Sequence, residues 1–174
     1  MKRIGLISDT HSYLDDKVFE HFKDVDEIWH GGDFGSIEIA ERLRNSQTGN
    51  GQTIVRGVYG NIDGYDIRSE FPEELIFMCE DVKVFMKHIG GYPGRYAPGV
   101  KNTIIKEKPQ LFISGHSHIL KIQYDAQLQC LHINPGAAGL QGWHKVKTLV
   151  RFVIDGKEIK NCEVIELGKR GALV

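Results

Sequence analysis

Short apolar runs alternate with amphipathic segments through the first half of the chain. This alternation is typical of strands that crossover helices connect within a largely parallel sheet. The strands are predicted at residues 3–8, 27–30 and 53–58. Between them, apolar residues recur at helical spacing, which predicts helices at 15–23 and 36–44. Ser36 is the expected N-cap of the second helix, and residues 45–51 are expected to end it.

The second half of the chain is predicted to be mostly strand. Its strands are expected at residues 75–79, 82–87, 111–114, 121–124, 129–133, 148–154 and 157–165. The first two form a hairpin, and Asp155-Gly156 is the turn of another hairpin at the end. A glycine- and proline-rich loop at 90–99 precedes a helix at 100–108, which Pro109 terminates. The segment between 59 and 74 is expected to be irregular.

Size and charge narrow the class of protein. With 174 residues and 41% hydrophobic content, the chain is in the range of a single globular domain, here residues 1–174. Its formal net charge is -1, which provides no concentrated positive field. We therefore expect no stable complex with nucleic acid.

Targeting signals and cysteine usage favour a soluble, cytoplasmic protein. The apolar run at 4–7 is too short for a signal peptide. No later segment approaches the roughly 20 apolar residues of a membrane-spanning helix, so no membrane partner is expected. Cys79, Cys130 and Cys162 form no CxxC pair, and we expect all three in the core of a protein in a reducing compartment.

Residues capable of binding metals recur just past the ends of the predicted strands. They are Asp9, His11, Asp33, Asn61, His88, His116 and His118. Because ligands bind outside the carboxyl ends of strands in open α/β sheets, these side chains are expected to meet in one pocket. Glycine precedes several of them, which we attribute to sharp turns that glycine makes without steric cost. The mixture of imidazole and oxygen ligands favours manganese, iron, cobalt, nickel or zinc over magnesium alone.

The same residues form a series of motifs. These are Asp9-Thr-His11, Gly32-Asp33, Gly60-Asn61, His88 and Gly115-His116-Ser-His118. In order and approximate spacing, the series resembles that of the calcineurin-like metallophosphoesterases. The short chain, the Asn61-Ile-Asp63 form and the Asn134-Pro135-Gly136 turn look like the small bacterial and archaeal phosphodiesterase branch. The retromer scaffold subunit shares the fold of that branch.

This resemblance implies an α/β fold of four layers, αββα, in which two facing mixed β-sheets are flanked by helices. It also implies two divalent metal ions, with manganese expected first and nickel, iron, cobalt or zinc as alternatives. One ion would be bound by Asp9, His11, Asp33 and His118, and the other by Asp33, Asn61, His88 and His116. A hydroxide shared by the ions would attack a small-molecule phosphate ester, expected to be a phosphodiester. Asp33, Asn61 and His88 would be catalytic, and Asn61 would also bind the substrate.

Two departures from the family pattern bear on the reaction. Many phosphatases of the superfamily have a histidine directly after the asparagine, and in the family that histidine acts on the leaving group. Here the position is Ile62, so protonation of the leaving group is unassigned and substrates with acidic leaving groups should react best. His88 is followed by Ile89 rather than directly by glycine, so the loop there is expected to differ in shape.

Other interpretations of the sequence stay open. The protein could be a phosphomonoesterase, or a protein-binding scaffold with a vestigial metal site, and it could form a homo-oligomer. A purely structural metal site is a weaker alternative, because no cysteine accompanies the motifs. Arg95 is a candidate phosphate contact, although an ordinary exposed loop is the simpler interpretation. His30 and His132 could orient ligands or be structural, Asp63 could support a ligand or complete a turn, and His144 has no assigned partner.

Overall fold

The structure is a computed structural model that describes residues 1–46 and 53–171. Its helices are α1 (Lys17–Phe22), α2 (Ile37–Arg44), α3 (Tyr65–Glu70) and α4 (Val100–Glu107). Its strands are β1 (Lys2–Ile7), β2 (Glu27–His30), β3 (Ile54–Gly57), β4 (Glu74–Cys79), β5 (Val82–Lys87), β6 (Gly91–Tyr92), β7 (Arg95–Tyr96), β8 (Leu111–Ile113), β9 (Leu120–Asp125), β10 (Cys130–Pro135), β11 (Val146–Asp155) and β12 (Glu158–Lys169). Within the described ranges, no helix combines the length and the apolar character that crossing a membrane requires.

The first sheet has five strands in the order β12-β11-β1-β2-β3. The three strands from the N-terminal part of the chain, β1, β2 and β3, run parallel to one another. This agrees with the predicted alternation of strands and crossover helices. β11 and β12 form an antiparallel pair, and β11 also pairs antiparallel with β1. The carboxyl ends of β1, β2 and β3 therefore lie side by side at one end of the sheet.

The second sheet has five strands in the order β4-β5-β8-β10-β9. β5, β8 and β10 run parallel at its centre, while β4 and β9 pair antiparallel at its edges. β6 and β7 form a separate two-stranded ribbon. The loops that leave β5 and β8 are neighbours, since Gly115 donates its N–H to the carbonyl oxygen of His88 at 3.0 Å.

Three clusters of apolar side chains hold the layers together. Trp29, Val84 and Phe152 belong to the cluster between the two sheets. A second cluster packs helices α1, α2 and α3 on the outer face of the first sheet, and Phe22 is fully buried in it. A third packs α4 on the outer face of the second sheet through Ile104. Burial of one such side chain contributes roughly 1.5–3 kcal/mol. The predicted α/β fold of two facing mixed sheets with flanking helices is confirmed.

The predicted elements agree with the observed ones to within two residues, except in three places. α3 lies in the segment predicted to be irregular; it has six residues and buries only Ile67, too few for a helical period to be visible. β6 and β7 lie in the glycine- and proline-rich loop and have two residues each. β12 extends beyond its predicted end at 165 because Leu167 continues its buried face.

The end of α2 agrees with its prediction as far as the structure describes it. Asn45 is the C-cap residue and donates its N–H to the carbonyl oxygen of Glu41. The rest of the predicted terminating stretch, from residue 47 onward, lies outside the described residues.

The cysteines agree only in part with their prediction. Cys79 and Cys130 are buried, and burial raises the pKa of their thiols to about 11 and about 12. Cys162 is exposed, so the prediction that it lies in the core is wrong. The reason is its place on the edge strand β12, where the register with β11 shifts at a bulge and one side of the strand has no neighbour.

Candidate metal centre

The loops that follow five strands meet at one end of the two sheets. The loops after β1, β2 and β3 carry Asp9, His11, Asp33 and Asn61, and the loops after β5 and β8 carry His88, His116 and His118. Backbone hydrogen bonds join the neighbouring loops. Asp9 donates its N–H to the carbonyl oxygen of Gly32, and His11 donates to that of Asp33, each at 3.0 Å. Both sheets therefore contribute ligand-capable side chains to one site.

One group of ligand-capable side chains comprises Asp9, His11 and His118. Their ligand atoms all lie within 4.8 Å of one another. Nε2 of His118 is 3.1 Å from Oδ1 of Asp9 and 3.3 Å from Nε2 of His11. Two imidazoles and a carboxylate at these separations could hold a divalent ion.

A second group comprises Asp33, His88 and His116, whose ligand atoms also lie within 4.8 Å of one another. Nε2 of His88 is 3.2 Å from Oδ2 of Asp33, and the rings of His88 and His116 pack edge to face. The same Oδ2 is 3.7 Å from Nε2 of His11 in the first group. Asp33 therefore lies between the two groups, where a ligand shared by two ions would have to be.

His88 indicates most clearly that a cation fits this site. Its Nδ1 is 2.8 Å from the carbonyl oxygen of Gly31, which assigns the proton to Nδ1 and leaves a lone pair on Nε2. That Nε2 is buried and has no hydrogen-bond partner among the described residues, although the carboxylate of Asp33 is close. Two acceptors that face each other in a buried place need a shared cation. The residues therefore fit a metal ion.

The aspartates and histidines of the site shift one another's pKa values. Burial lowers the pKa of His88, but Asp33 and Asp9 outweigh it and hold that pKa above its ordinary value. Burial raises the pKa of Asp33, but His88 and the N–H of Ile62 outweigh it and hold that pKa below its ordinary value. At His11 burial outweighs the two aspartates, so the pKa is lowered. The lowered pKa of His11 favours its neutral imidazole, which is the form that binds a metal.

Five of the ligand-capable residues have a left-handed backbone. Their φ angles are 53° at Asp9, 47° at His11, 57° at Asp33, 67° at His116 and 58° at His118. A non-glycine residue in this conformation costs roughly 1–3 kcal/mol. The rest of the fold must hold these residues against their local preference, and clusters of this kind are typical of functional sites.

The glycines beside these residues act mainly by leaving space. Gly32 has a left-handed φ of 103°, as expected for a sharp turn. Gly60 and Gly115 are not left-handed, so attributing them to sharp turns is wrong. A Cβ at Gly60 would overlap Oδ1 of Asp33, and a Cβ at Gly115 would overlap Oγ of Ser8. These two glycines are needed for close approach rather than for conformational freedom.

A comparison with protein families identifies the chain. The family model of the calcineurin-like phosphoesterase superfamily domain matches residues 1–157. The chain belongs to this superfamily. A probable metallophosphoesterase of Methanothermobacter thermautotrophicus is 30% identical over 171 residues, which cover 95% of this chain and 92% of that protein. The resemblance inferred from the motifs is therefore confirmed.

Solved structures share the fold of this superfamily member. An archaeal phosphodiesterase superimposes with a TM-score of 0.70 at 25% identity, over 95% of this chain and 99% of that chain. A single mutant of Vps29 from Entamoeba histolytica superimposes with a TM-score of 0.71 at 15% identity, over 95% and 99% of the two chains. At 15% identity, the similarity to Vps29 shows only that the two proteins share a fold.

Asp63 holds two loops of the metal centre together through hydrogen bonds to their backbones. Its buried carboxylate accepts the N–H of Gly35 at 2.8 Å and that of Gly60 at 2.7 Å. The side chain thus joins the loop after β2 to the loop after β3. Of the two interpretations of Asp63 from the sequence, support of a ligand loop therefore fits better than completion of a turn. In addition, the N–H of Ile62 donates to Oδ1 of Asp33 at 3.1 Å and so leaves Oδ2 for a cation.

Ser8 also supports the centre, although no motif in the sequence predicts this role. Its buried Oγ donates to Oδ2 of Asp9 at 2.6 Å, and the N–H of His116 is 3.2 Å from both oxygens of the same carboxylate. The only signal in the sequence is that Ser8 directly precedes Asp9 at the end of a strand. A serine at that position is too common to indicate a role by itself.

His30 and His132 have structural roles. Nε2 of His30 donates to Oγ1 of Thr10 at 3.0 Å, its Nδ1 accepts the N–H of Gly32 at 3.1 Å, and burial lowers its pKa to about 3. Nε2 of His132 is 2.9 Å from Oγ of Ser114, and burial lowers its pKa to about 4. Among the described residues, neither ring hydrogen-bonds to a ligand-capable side chain.

Asn61 is exposed and lines a cleft of about 290 Å³. The cleft is also lined by His88, Arg68 and Lys87, so it connects the second ligand group with solvent and with two cations. Nη2 of Arg68 is 3.4 Å from the backbone carbonyl oxygen of Asn61. Arg95 is exposed on β7, and its guanidinium makes no hydrogen bond or ion pair within the described part of the chain. Its role as a phosphate contact stays a prediction.

The loop between β10 and β11 also reaches the centre. The ring of His144 packs edge to face on that of His118, with centroids 5.3 Å apart. Nε2 of His144 donates to the carbonyl oxygen of Gly139 at 3.0 Å. No motif in the sequence relates this loop to His118, because only the folding of the chain brings the two together. Residues 139–145 form part of the rim of the site.

Proposed function

We propose that the protein is a metal-dependent phosphodiesterase that hydrolyses a small-molecule phosphodiester at two divalent metal ions. The position of Asp33 carries this proposal, because its Oδ2 is 3.2 Å from Nε2 of His88 and 3.7 Å from Nε2 of His11. One oxygen of Asp33 thus lies near a histidine of each ligand group. This arrangement suits the two closely spaced metal ions that many enzymes of phosphoryl transfer use. One ion would be held by Asp9, His11, Asp33 and His118, and the other by Asp33, Asn61, His88 and His116.

Two divalent ions, when bound, would supply water of lowered pKa as the nucleophile and positive charge for the phosphoryl oxygens. Manganese is the proposed metal, with nickel, iron, cobalt and zinc as alternatives, because the side chains mix imidazole and oxygen donors. The chain itself contributes orientation. The carbonyl oxygen of Gly31 holds Nδ1 of His88, so Nε2 faces the centre, and the N–H of Ile62 occupies Oδ1 of Asp33.

A diester with an acidic leaving group is the proposed substrate. Ile62 follows Asn61 on the rim of the site and is 46% exposed. An aliphatic side chain there cannot give a proton to a departing alkoxide, so a leaving group that departs without protonation should react fastest. The solved archaeal phosphodiesterase is 25% identical over 95% of this chain, which supports the same type of reaction here.

Hydrolysis of two p-nitrophenyl esters tests the proposal. The manganese-supplemented protein should cleave bis(p-nitrophenyl) phosphate with a higher kcat/KM than p-nitrophenyl phosphate. Asp33→Ala should reduce both rates to background, because it removes the carboxylate between the two ligand groups. Asp24→Ala is the matched control, since Asp24 is exposed in another part of the molecule and should leave both rates unchanged.

The results separate the competing functions. A higher kcat/KM for the monoester would make the protein a phosphatase. Absence of metal-dependent hydrolysis, together with absence of manganese uptake by elemental analysis, would favour a protein-binding scaffold with a vestigial site. Arg95→Ala tests one contact on the same substrates, and an unchanged kcat/KM on the diester would remove Arg95 from substrate binding.

A further inference from the structure

Trp143 is almost completely exposed, which is unusual for its type. Its relative exposure is 99%, whereas Trp29 is fully buried between the sheets. Tryptophan is highly buried on average, because its large apolar ring is costly to leave in water. An indole in this position therefore suggests a binding partner.

The loop that presents Trp143 is held firmly by hydrogen bonds. Arg170 donates from Nε to the carbonyl oxygen of His144 at 2.9 Å and from Nη1 to that of Leu140 at 3.1 Å. The N–H of Arg170 also donates to the carbonyl oxygen of Lys145 at 3.0 Å. The backbone that carries the indole is therefore held in place before a ligand binds. This reduces the conformational entropy that the loop loses on binding.

Trp143 lies directly beside the candidate metal centre. The residue after it, His144, packs its ring on that of His118 with centroids 5.3 Å apart. The residue before it, Gly142, is so close to His118 that a Cβ would overlap the imidazole. Both chain neighbours of Trp143 thus contact a member of the first ligand group, so the backbone that carries the indole borders the centre.

Cationic residues line a depression together with Trp143. Trp143, His144, Lys145, Lys169, Arg170 and Gly171 line a shallow depression of about 560 Å³. Lys145 and Lys169 are exposed, and neither forms an ion pair within the ranges that the structure describes. A local set of cations is notable in a chain whose formal net charge is -1. An aromatic platform flanked by cations is a combination that binds nucleotides, because the ring stacks on a base and the cations attract phosphate.

We propose that Trp143 binds one nucleoside arm of the substrate, with the base stacked on the indole and the scissile phosphate at the two ligand groups, while Lys145 and Lys169 attract the anionic substrate to this side of the centre. The substrate class is then a small nucleotide-containing phosphodiester. This inference rests on the proposed function for the identity of the reaction. The nucleotide site itself is a separate property that can be measured without turnover.

Binding of two matched phosphonates tests the site. One is a non-hydrolysable phosphonate analogue of AMP, and the other is the corresponding analogue of ribose 5-phosphate, which lacks the base. Calorimetry on the manganese-supplemented protein should show at least about fivefold tighter binding of the AMP analogue, since stacking of a base on an aromatic side chain is worth that much or more. Trp143→Ala should bring the two dissociation constants close together by weakening the AMP analogue alone. Trp143→Phe should keep most of the preference, because it retains a ring.

Tyr124→Ala is the control, since Tyr124 is another exposed aromatic residue, 59% exposed on β9, and should leave the preference unchanged. Equal binding of the two analogues by the wild-type protein, or an unchanged preference in Trp143→Ala, would overturn the inference. A dimer that Trp143→Ala converts to a monomer in light scattering would also overturn it, because the indole would then be covered by a second copy.

The results also separate this inference from the proposed function. Diester hydrolysis without a base preference would support the proposed function and refute the nucleotide site. A base preference that depends on Trp143 without diester hydrolysis would support the site and refute the proposed function.

Discussion

At the scale of single residues, Gly60 is the position where one added carbon should disable the centre. Its backbone is not left-handed, but a Cβ there would overlap Oδ1 of Asp33, the oxygen that accepts the N–H of Ile62. We predict that Gly60→Ala displaces this carboxylate and weakens manganese binding by about tenfold to a hundredfold. Calorimetric titration of the metal-free protein with manganese measures the loss.

Gly64 offers a matched control in the same loop. A Cβ there would have no atom within 4 Å, so Gly64→Ala should bind manganese as the wild-type protein does. If Gly60→Ala binds manganese equally well, the carboxylate of Asp33 has room to move and Gly60 is not needed for close approach.

Ser8 should matter through Asp9, to whose Oδ2 it donates a hydrogen bond at 2.6 Å. Ser8→Ala removes that bond and leaves the N–H of His116 as the remaining donor to this carboxylate, so we predict manganese affinity roughly tenfold lower. Ser69→Ala is the comparison, because Ser69 is exposed and its hydroxyl donates only to a helix carbonyl oxygen. Equal affinity of the two variants would show that backbone donors alone orient Asp9.

The chemistry of the centre could be predicted where it is local in the sequence. An aspartate or histidine directly after an apolar strand is visible in the chain, as with Asp9 and His88. The contact of His144 with His118 could not be predicted, because it depends on how a distant loop folds back. The left-handed φ of 57° at Asp33 could not be predicted either, since the type of residue does not imply it.

At the scale of elements, a buried ion pair joins the segment before α1 to strand β11. Nζ of Lys147 is 2.6 Å from Oδ2 of Asp15, and the two side chains are only 2% and 8% exposed. Asp15→Asn would leave the ammonium group buried without its counter-charge. We predict a loss of about 3–5 kcal/mol in the free energy of unfolding at pH 7, measured by urea denaturation.

The same pair should make stability depend on pH. Burial raises the pKa of Asp15, but Lys147 and the N–H of Lys17 outweigh it, so the pKa lies below its ordinary value of 3.8. The contribution of the carboxylate is therefore full above pH 3.8 and is lost as the pH falls through the lower pKa of the folded protein. The difference between wild type and Asp15→Asn should shrink as the pH is lowered from neutral into this range.

Asp155→Asn is the matched control for Asp15→Asn. Lys160 and Asp155 also approach to 2.6 Å, but their side chains are 39% and 43% exposed, so solvent already screens the charges. This variant should change the free energy of unfolding little at any pH. A loss as large as that of Asp15→Asn would show that burial is not what makes the Lys147 pair important.

Elements could be predicted where the apolar pattern is long enough. α2 has eight residues and buries Ile39, Ala40 and Leu43, and the sequence predicts it with its N-cap. α3 buries only Ile67, so no period is visible and its place is set by packing on the first sheet. The pairing of β11 with β1 likewise follows from contacts between the two ends of the chain, which local pattern does not encode.

At the scale of the whole molecule, the ligand-capable residues connect the two sheets. Asp9 and Asp33 follow strands of the first sheet, while His88 and His118 follow strands of the second. Ions bound here would cross-link the sandwich at one end, in addition to the apolar cluster between the sheets. The organisation of residues 1–174 as one domain and a cytoplasmic location stay predictions.

Manganese should therefore stabilise the whole fold. A ligand that binds only the folded protein adds about 2.7 kcal/mol at a free concentration one hundred times its Kd. For a protein of this size, that corresponds to a rise in Tm of roughly 5–10 °C, which calorimetry can measure and which a chelator should reverse. Asp9→Ala and His88→Ala each remove a ligand from one of the two sheets, so each should lose most of the rise. His21→Ala, on α1, should keep it. A rise that persists in Asp9→Ala and in His88→Ala would mean that manganese binds elsewhere, and the ions could not then be what joins the sheets.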